Sequence, residues 1–543
     1  MTYLFGCLVP ILPLFGAHVL LSIAAIYLIS NWGDVKSLSV RWAYPFLIVC
    51  GIWFIGQFIA SILLNPTLIQ AGDLEPRYEL SFFTLCTYFV FALLFSLFAS
   101  RTHLRDEFFN GLVLGVSIAF ILSAAQILHL LPFEMPNQNS FWTGINRYTG
   151  TFSDPNALGI FLALLFPLFL GQFKDSLLRT SKAFYAIMLL AILFLGVYSG
   201  SRSFFLGLML YGLFRTWNYN RTFFFSFIFV GLALLLSINL TAHLSPDAFG
   251  SFREILPNGL LRVTDSLVLN NIEQTFQSRF VFWKLSIMIW LDNPLLGIGL
   301  DAFREYVPLY RDKLPIDISN WTDNSNNFYL GVLAELGVIG FICLIVSFLR
   351  LEKRHLDVRN RYKYGFLVFL ILLFFGPHIT FTEVAILAAY IMSFVYKNEE
   401  NNLREGWSGC SDYILLGLVL PIFIGYKIYK QDFGFYALEK EPSGVSYRWT
   451  RKNASGVITC RNGKALLRLR ARHPDLDQNP LLVNIKAAGQ SYGLKISDYS
   501  NQNVELSCSE QALRYRLSNS RTWKPAKYGH QNDHRNLGVQ VLN

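Results

Sequence analysis

Three arginines lie beside short polar motifs that interrupt long apolar runs. Arg147 precedes the run from Thr151 to Asn156, Arg202 lies within Ser199-Gly200-Ser201-Arg202-Ser203, and Arg279 lies on the segment 277–292. A guanidinium presents a planar fork that matches phosphate oxygens, and the Asp154-Pro155 pair predicts a helix N-terminus whose N–H groups also suit an anion. The arginines therefore predict an anion site, such as one for a phosphate group. The alternatives are that Arg202 snorkels to lipid phosphates and that Arg279 is solvated.

The composition is that of a polytopic membrane protein. Of the 543 residues, 53% are hydrophobic and only 15% are charged, which excludes an ordinary soluble enzyme. Apolar runs lie at 42–64, 78–99, 108–131, 154–172, 181–199, 222–240, 326–349, 378–396 and 412–429, with shorter runs at 203–214 and 364–376. Residues 3–30 form either a hairpin or one kinked helix, because they contain Pro10, Pro13 and Gly16. The expected fold is a polytopic α-helical membrane protein of about 12 spans.

Basic residues assign the two sides of the membrane. One alternating set of connections carries Lys36, Arg41, Arg101, Arg105, Lys174, Arg179, Lys182 and the basic run from Arg350 to Lys363. By the positive-inside rule this set is cytoplasmic. The loops 65–77, 132–153, 200–202 and 241–325, and everything after about residue 430, then face outward. All three arginine motifs therefore fall on the outer side. The long loop 241–325 is expected to fold over the bundle, with an amphipathic helix at 277–292.

Three stretches carry a resemblance to a known family. They are Arg147 to Gly159, Ser199 to Ser203, and Gln277 to Gly340 with its Asn293-Pro294, Asn326-Asn327 and Glu335-Leu336-Gly337 pieces. In this order they resemble the O-antigen ligase and polymerase superfamily, integral membrane glycosyltransferases that use polyprenyl-diphosphate-linked glycans. The resemblance implies a bacterial inner-membrane enzyme that transfers a glycan from undecaprenyl diphosphate, with inversion, to an acceptor hydroxyl. That acceptor is another glycan, a lipid A-core sugar or a protein.

The chain departs from the ligase branch at one position. Ligases typically place a histidine and an asparagine before the Tyr-Leu pair, whereas this chain has Asn326-Asn327-Phe328-Tyr329-Leu330. An amide cannot remove a proton from a hydroxyl, although Asn326 could orient a hydroxyl or bind a sugar. Asp323 is the first substitute base, with a helix N-cap as its structural alternative. His378 and Glu383, at another outward helix end, are the next substitutes. The alternative is that Gly376-Pro377 only breaks the helix and has no role in a site. The departure favours a polymerase over a ligase.

Other polar residues of the long loop are weaker candidates. Arg304 and Arg311 lie in a crowded charged stretch and are secondary phosphate ligands at most. No zinc-protease, paired-cysteine or P-loop motif occurs in the sequence. Chemistry without a protein-bound metal or cofactor is therefore expected, with arginines offsetting the charge of the departing diphosphate.

A second domain begins near residue 431. Short alternating runs, such as Lys464 to Arg470 and Leu482 to Lys486, predict a small β-sandwich over 431–543, separate from a membrane domain at 1–430. Its ending looks like an appended domain found in some superfamily members. Sugar-binding sandwiches share this architecture, but fold analogy alone does not establish carbohydrate binding. Cys460 and Cys508 are the only cysteines of this domain, and an outward location would favour a disulfide between them.

The leading hypothesis is an O-antigen or exopolysaccharide polymerase or ligase. Arg147, Arg202 and Arg279 would hold the donor diphosphate, and Asp323 or Asn326 would contact the acceptor hydroxyl. One rival is a transporter or flippase of lipid-linked glycans, whose charges should line a path near the bilayer midplane rather than one face. Another rival is an inactive relative that only binds glycan. No nucleic-acid partner is expected.

Overall fold

The computed structural model describes most of the chain. The described residues are 1–64 except 37 and 39, 76–128, 130, 142, 147–256, 258–311, 324–353, 361–397, 433–441, 443, 445–460, 463–508, 512–528 and 535–542. The chain divides into two compact units. One contains Met1–Val49, Phe82–Leu295 and Asn324–Gly406, and the other contains Cys50–Ser81, Leu296–Asp323 and Trp407–Asn543.

The N-terminal stretch is broken rather than continuous. Helix α1 (Thr2–Leu8) and helix α2 (Ala17–Ser30) are separated by a 3-10 turn at Leu12–Phe15 and by Gly16, whose φ is 107°. Prolines 10 and 13 lack the N–H groups that a continuous helix needs, so the chain turns here. A Cβ on Gly111 would lie 1.8 Å from the carbonyl oxygen of Tyr3, which shows how closely α1 packs against the helix that follows Arg101.

In the described chain, further helices follow as far as residue 267. They are α3 (Tyr44–Leu64), α4 (Pro76–Ser100), α5 (Thr102–Ile127), α6 (Pro155–Asp175), α7 (Arg179–Ser199), α8 (Arg202–Tyr219), α9 (Arg221–Leu244), α10 (Pro246–Ile255) and α11 (Asn258–Leu267). They are followed by α12 (Leu269–Asp292), α13 (Phe303–Arg311), α14 (Phe328–Leu349), α15 (Arg361–Leu372) and α16 (Thr382–Val395).

The apolar helices make this a multi-pass membrane protein. Within the described residues, six helices are long and apolar enough to cross a membrane: Leu80–Ser100, Thr102–Ile127, Pro155–Asp175, Arg179–Ser199, Arg221–Leu244 and Phe328–Leu349. Four shorter apolar helices accompany them, at Ala17–Ser30, Tyr44–Ile59, Tyr362–Phe375 and Thr382–Val395. Helix α8 covers the predicted run at 203–214. The predicted span at 412–429 lies outside the described residues.

Helix α9 differs from the other long helices in having no buried residue. Most of its phenylalanines and leucines are exposed, from Phe223 to Leu244. A helix that is apolar all round belongs in a hydrocarbon environment. In a membrane, lipid therefore surrounds most of α9.

The long loop is mostly helical, and α12 contains the predicted amphipathic segment. The protein-facing side of α12 is formed by Val281, Phe282, Leu285 and Ile289, all of them buried. The helical spacing of Phe280, Trp283, Ile287 and Trp290 predicts a different packed face. That prediction is wrong, since Phe280 is 57% exposed and Ile287 is 42% exposed. Both faces of α12 are apolar, so periodicity alone does not separate the packed side from the open side.

Helix α14 contains a backbone break that the Asn-Pro motif stabilises. Gly337 has φ 67° and ψ −170°, which interrupts the helix within an apolar stretch. The backbone N–H groups of Val338 and Ile339 donate instead to the carbonyl oxygens of Pro294 and Leu295, at 2.9 and 3.3 Å. Backbone groups inside a membrane need partners within the protein. The break in α14 and the turn after α12 therefore form one structural feature.

The C-terminal strands form an antiparallel domain. The strands are β1 (Phe433–Lys440), β2 (Ser446–Thr459), β3 (Lys464–Arg470), β4 (Leu481–Ala487), β5 (Gln490–Ile496), β6 (Gln502–Ser507), β7 (Ala512–Asn519) and β8 (Gln540–Leu542). Over the residues described, they make one eight-stranded sheet in the order β5-β4-β7-β2-β8-β3-β6, with β1 paired to β2.

This single sheet replaces the two facing sheets of the predicted sandwich. Strand β2 is 14 residues long. Its first part pairs with β8, as in Trp449 opposite Gln540, and its last part pairs with β7, as in Val457 opposite Arg514. One long strand thus joins strands that a sandwich would divide between two layers. Buried alternate residues such as Leu467, Val483 and Leu517 form the core. Cys460 and Cys508 are disulfide-bonded, with their Cα atoms 6.4 Å apart.

Candidate functional site

The site is built around the turn between α7 and α8. Gly200 ends α7 in the left-handed region with φ 59°, and α8 begins two residues later at Arg202. A Cβ on Gly200 would lie 3.4 Å from the Cγ of Arg147 and 3.6 Å from the Cδ of Arg262. The turn therefore places Arg202 directly beside two further arginines.

Arg147 is the most firmly held of these arginines. Only 4% of it is exposed. Its Nε donates to the carbonyl oxygen of Ser199 at 2.9 Å, and its Nη2 donates to the Oδ1 of Asn156 at 2.8 Å. Its guanidinium also lies 5.0 Å from the ring centre of Trp142. Arg147 thus joins the α7–α8 turn to the first turn of α6.

The N-terminus of α6 is capped as the sequence predicts. The Oδ1 of Asp154 accepts from the backbone N–H of Asn156 at 2.6 Å, and Pro155 occupies the first turn. A Cβ on Gly159 would lie 2.3 Å from the Cβ of Ser201, so only glycine allows α6 to approach the turn so closely. The glycine and Pro-Asn residues of this motif therefore have structural roles as well.

Arg262 is a member of the cluster that sequence reasoning did not identify. It lies on α11, which packs against α7. Burial lowers the pKa of Arg147 to about 9, the charges of Arg262 and Arg202 contribute to that lowering, and Asp154 opposes the change. Burial also lowers the pKa of Arg262 itself. These effects show cations close together in a partly dehydrated setting.

Arg279 connects the cluster to the turn between α15 and α16. Its guanidinium lies 5.6 Å from the ring centre of Phe375. Burial lowers the pKa of Arg279, and the charge of Arg262 lowers it further. His378 lies in the same turn and is only 4% exposed. Burial lowers the pKa of His378 to about 3, with a contribution from Arg279. The imidazole is therefore neutral.

Asn326 lies at the start of α14, in contact with α12. Its φ is 50°, and its carbonyl oxygen accepts from the Nε1 of Trp283 at 3.3 Å. The helix cap is the neighbouring Asn327, whose Oδ1 accepts from the N–H of Leu330 at 3.0 Å. Helix α12 thus contributes Arg279 to the arginine cluster and also holds the backbone of Asn326 through Trp283.

Glu383 lies at the start of α16 and contacts the α6 motif. It is fully buried, and its Oε1 accepts from the Oγ of Ser153 at 2.7 Å. Ser153 is half-buried and directly precedes the Asp154 cap. The two residues are 230 positions apart, so no local sequence signal could have paired them.

The remaining candidates are Arg304, Asp323 and Arg311. Arg304 is an exposed residue of α13, in the second compact unit. Asp323 lies outside the described residues, as does the side chain of Arg311. The described histidines, cysteines and carboxylates include no group of three or more that could hold a metal ion.

Comparison with known proteins bears on the centre of the chain. Residues 183–345 match the family model described as Wzy_C: O-Antigen ligase. The match includes Arg202, Arg262, Arg279 and Asn326, whereas Arg147 and Glu383 lie on either side of it. No curated protein matches the chain. With its apolar helices and this matched segment, the chain is a multi-pass membrane protein whose central part is similar to the Wzy_C O-antigen ligase family.

Proposed function

We propose that the protein transfers a glycan from a polyprenyl diphosphate to an acceptor hydroxyl, on the side of the membrane where its arginines cluster. The reaction inverts the anomeric carbon, as the family resemblance implies, and needs no protein-bound metal. By the positive-inside rule that side is the periplasmic face of a bacterial inner membrane, and the β-domain lies there too. The donor glycan is then one that has already crossed the membrane.

This proposal rests on the observation that four arginines lie close together. Arg147, Arg202, Arg262 and Arg279 come from a loop and three different helices. The charge of Arg262 lowers the pKa values of the other three. Asp154 acts on Arg147, and Asp265 acts on Arg202. An anion that binds among the arginines reduces the repulsion between their like charges. A diphosphate is such an anion, and the cluster stabilises it as it leaves.

The four arginines have two different roles in this proposal. The guanidinium of Arg147 binds Ser199 and Asn156, so it fixes the shape of the site. Arg202, Arg262 and Arg279 supply the charge for the diphosphate. Asn326, held by Trp283, orients the acceptor.

Glycan analysis in the native host tests this function. The gene is deleted, and lipid-linked repeats are separated from finished polymer. Long chains left on the lipid carrier identify a ligase, whereas accumulated single repeats identify a polymerase. Complementation then uses Arg202→Ala, Arg262→Ala and Arg279→Ala, each of which should leave the deletion profile unchanged.

Lys284→Ala is the matched control for this experiment. Lys284 lies on α12 with Arg279, but its side chain is exposed. This variant should restore the wild-type profile. Normal polymer with Arg202→Ala and Arg279→Ala would refute the diphosphate site, and an unchanged profile after gene deletion would refute the function.

A further inference from the structure

The contact between Ser153 and Glu383 is unusual for the interior of a membrane protein. Glu383 has no exposed surface, and within the described chain its Oε2 has no hydrogen-bond partner. Among the described residues, the side chain that donates to its carboxylate is that of Ser153, at 2.7 Å. The backbone N–H groups of Glu383 and Ser153 also donate to this carboxylate. A carboxylate buried in this way remains costly, because these few donors replace its full hydration. Ionisable groups retained in such surroundings are often functional.

The position of Ser153 relates this pair to the arginine cluster. Ser153 precedes Asp154, which caps Asn156, and Asn156 binds Arg147. Ser153 is half-buried, whereas Glu383 lies behind it without exposure. A hydroxyl at the edge of the site is therefore backed by a buried carboxylate.

We propose that Ser153 and Glu383 form a proton relay for the acceptor hydroxyl. This inference rests on the proposed function and supplies the base that Asn326 cannot provide. The acceptor oxygen bonds to the anomeric carbon while the bond from that carbon to the diphosphate oxygen breaks, and the diphosphate leaves with the electron pair. The acceptor proton passes to the Oγ of Ser153, and the proton of Ser153 passes to the Oε1 of Glu383. Ser153 contacts the substrate, and Glu383 acts through it.

The other described candidates fit this role less well. His378 is buried and neutral beside Arg279, and its low basicity makes it a poor proton acceptor. The side-chain amide of Asn326 has no basic group. Glu383 is the carboxylate that directly accepts a hydrogen bond from a half-buried hydroxyl next to the α6 cap.

Few charged groups surround Glu383. Asp154 approaches it from the start of α6, and His378 lies in the preceding turn. Helix α2 also packs against α16, and its His18 contacts the ring of Phe83 on α4. The titratable residues of α15 lie at the far end of α16, where Tyr362 stacks on Phe394. A change in the pH profile that depends on Glu383 can therefore be separated from these neighbours by substitution.

Purified full-length protein in nanodiscs provides the test. The donor is the lipid-linked repeat that accumulates in the deletion host, and the readout is release of free polyprenyl diphosphate. Transfer by the wild-type protein tests the proposed function first. Glu383→Gln keeps the size of the side chain and should lower kcat on the order of a hundredfold or more. It should also leave KM for the donor within about threefold and remove the acid limb of the kcat profile.

Two further variants keep the relay falsifiable. Ser153→Ala should lower kcat like Glu383→Gln, because both interrupt the same transfer. Thr382→Val removes a buried contact to Thr87 in the adjacent position and should leave kcat unchanged. Thermal stabilisation by inorganic diphosphate confirms that each variant retains a folded site. Wild-type transfer together with a near-normal kcat for Glu383→Gln, or an unaltered pH profile, would overturn the relay.

Discussion

The arginines of the site differ in what holds them in place. Arg147 is buried and hydrogen-bonded to the protein through two nitrogens, whereas Arg279 lies across the ring of Phe375. A charged hydrogen bond to a buried group contributes about 1.5–3 kcal/mol. Stability should therefore depend on Arg147 more than on Arg279.

Arg147→Ala should lower the melting temperature of the purified protein, because the carbonyl oxygen of Ser199 and the amide of Asn156 lose their donor. Arg147→Lys should restore little, since an ammonium cannot match the planar fork. Arg279→Ala should melt near the wild-type temperature. Thermal unfolding in detergent measures all three. A wild-type melting temperature for Arg147→Ala would show that Arg147 has no such structural role.

His378 should make stability depend on pH. Its pKa in the folded protein is about 3, below the value of about 6.5 in an unfolded chain. Between these values the unfolded state binds the extra proton, so the contribution of His378 to stability is present above about pH 6.5 and is lost as the pH falls.

The variant His378→Gln should lose less stability than wild type between pH 7 and pH 4. Thermal unfolding over this pH series provides the comparison. Parallel curves for the two proteins would mean that His378 is not buried as a neutral ring.

The types and spacing of residues in the sequence are enough to predict part of this site. Arg147, Arg202 and Arg279 each lie beside a motif, and that placement predicts an anion site. Arg262 has no such marker, because it is one of several polar residues in a short amphipathic helix. The Ser153–Glu383 contact joins residues that are 230 positions apart in sequence, and pairing of that kind depends on tertiary packing.

Among the elements, the break in α14 shows how a glycine and a distant Asn-Pro turn depend on each other. The φ of 67° and ψ of −170° at Gly337 belong to a region that other residues rarely adopt. The freed N–H groups then bind the carbonyls of Pro294 and Leu295. Both motifs are visible in the sequence. The sequence does not show that the carbonyl oxygens of the Asn-Pro turn accept hydrogen bonds from the N–H groups that follow Gly337.

Gly337→Ala should therefore destabilise the protein by about 1–3 kcal/mol. The matched control is Gly231→Ala on α9, where an added Cβ would meet nothing within 4 Å. The control should express and melt like wild type. Folded yield by size-exclusion chromatography and thermal unfolding distinguish the two variants. Equal behaviour would show that the Gly337 backbone is not restricted.

The disulfide should stabilise the β-domain. Cys460 and Cys508 are separated by 48 positions in sequence, and closing a loop of that size contributes about 4 kcal/mol in the chain-entropy description. Cys460→Ser with Cys508→Ser should lower the unfolding temperature of the full-length protein. Thiol alkylation followed by mass spectrometry of the β-domain peptides should detect two blocked cysteines in the native wild type. Free thiols at both positions would contradict the pairing.

In the β-domain, the residue pattern predicts which residues of a strand are buried but not how the strands are divided into sheets. Alternating burial in β3 and β4 follows directly from the sequence, since their apolar residues recur at every second position. The division into sheets does not follow, because it depends on which edges of the long strand β2 are paired.

For the whole molecule, the distribution of basic residues predicts which side each connection faces. Leu177 lies in the connection between α6 and α7 and is 96% exposed, and Lys486 is exposed on β4. In a variant without other free cysteines, an impermeant thiol reagent should label Lys486→Cys in intact spheroplasts. It should label Leu177→Cys only after permeabilisation. The reverse pattern would invert the assigned orientation and place the arginine cluster on the cytoplasmic side.

Helix α9 links the bilayer itself to this site. Its apolar run at 222–240 extends about 28 Å, close to the thickness of a hydrocarbon core of about 30 Å. In a thinner or thicker bilayer, the resulting hydrophobic mismatch is relieved by helix tilt or by a local change in lipid thickness. Because no residue of α9 is buried, neighbouring helices restrict its tilt less than they restrict that of a buried helix. Helix α9 leads directly into α10 and α11, and α11 carries Arg262. We therefore expect the thickness of the bilayer, through the tilt of α9, to influence where one arginine of the cluster lies.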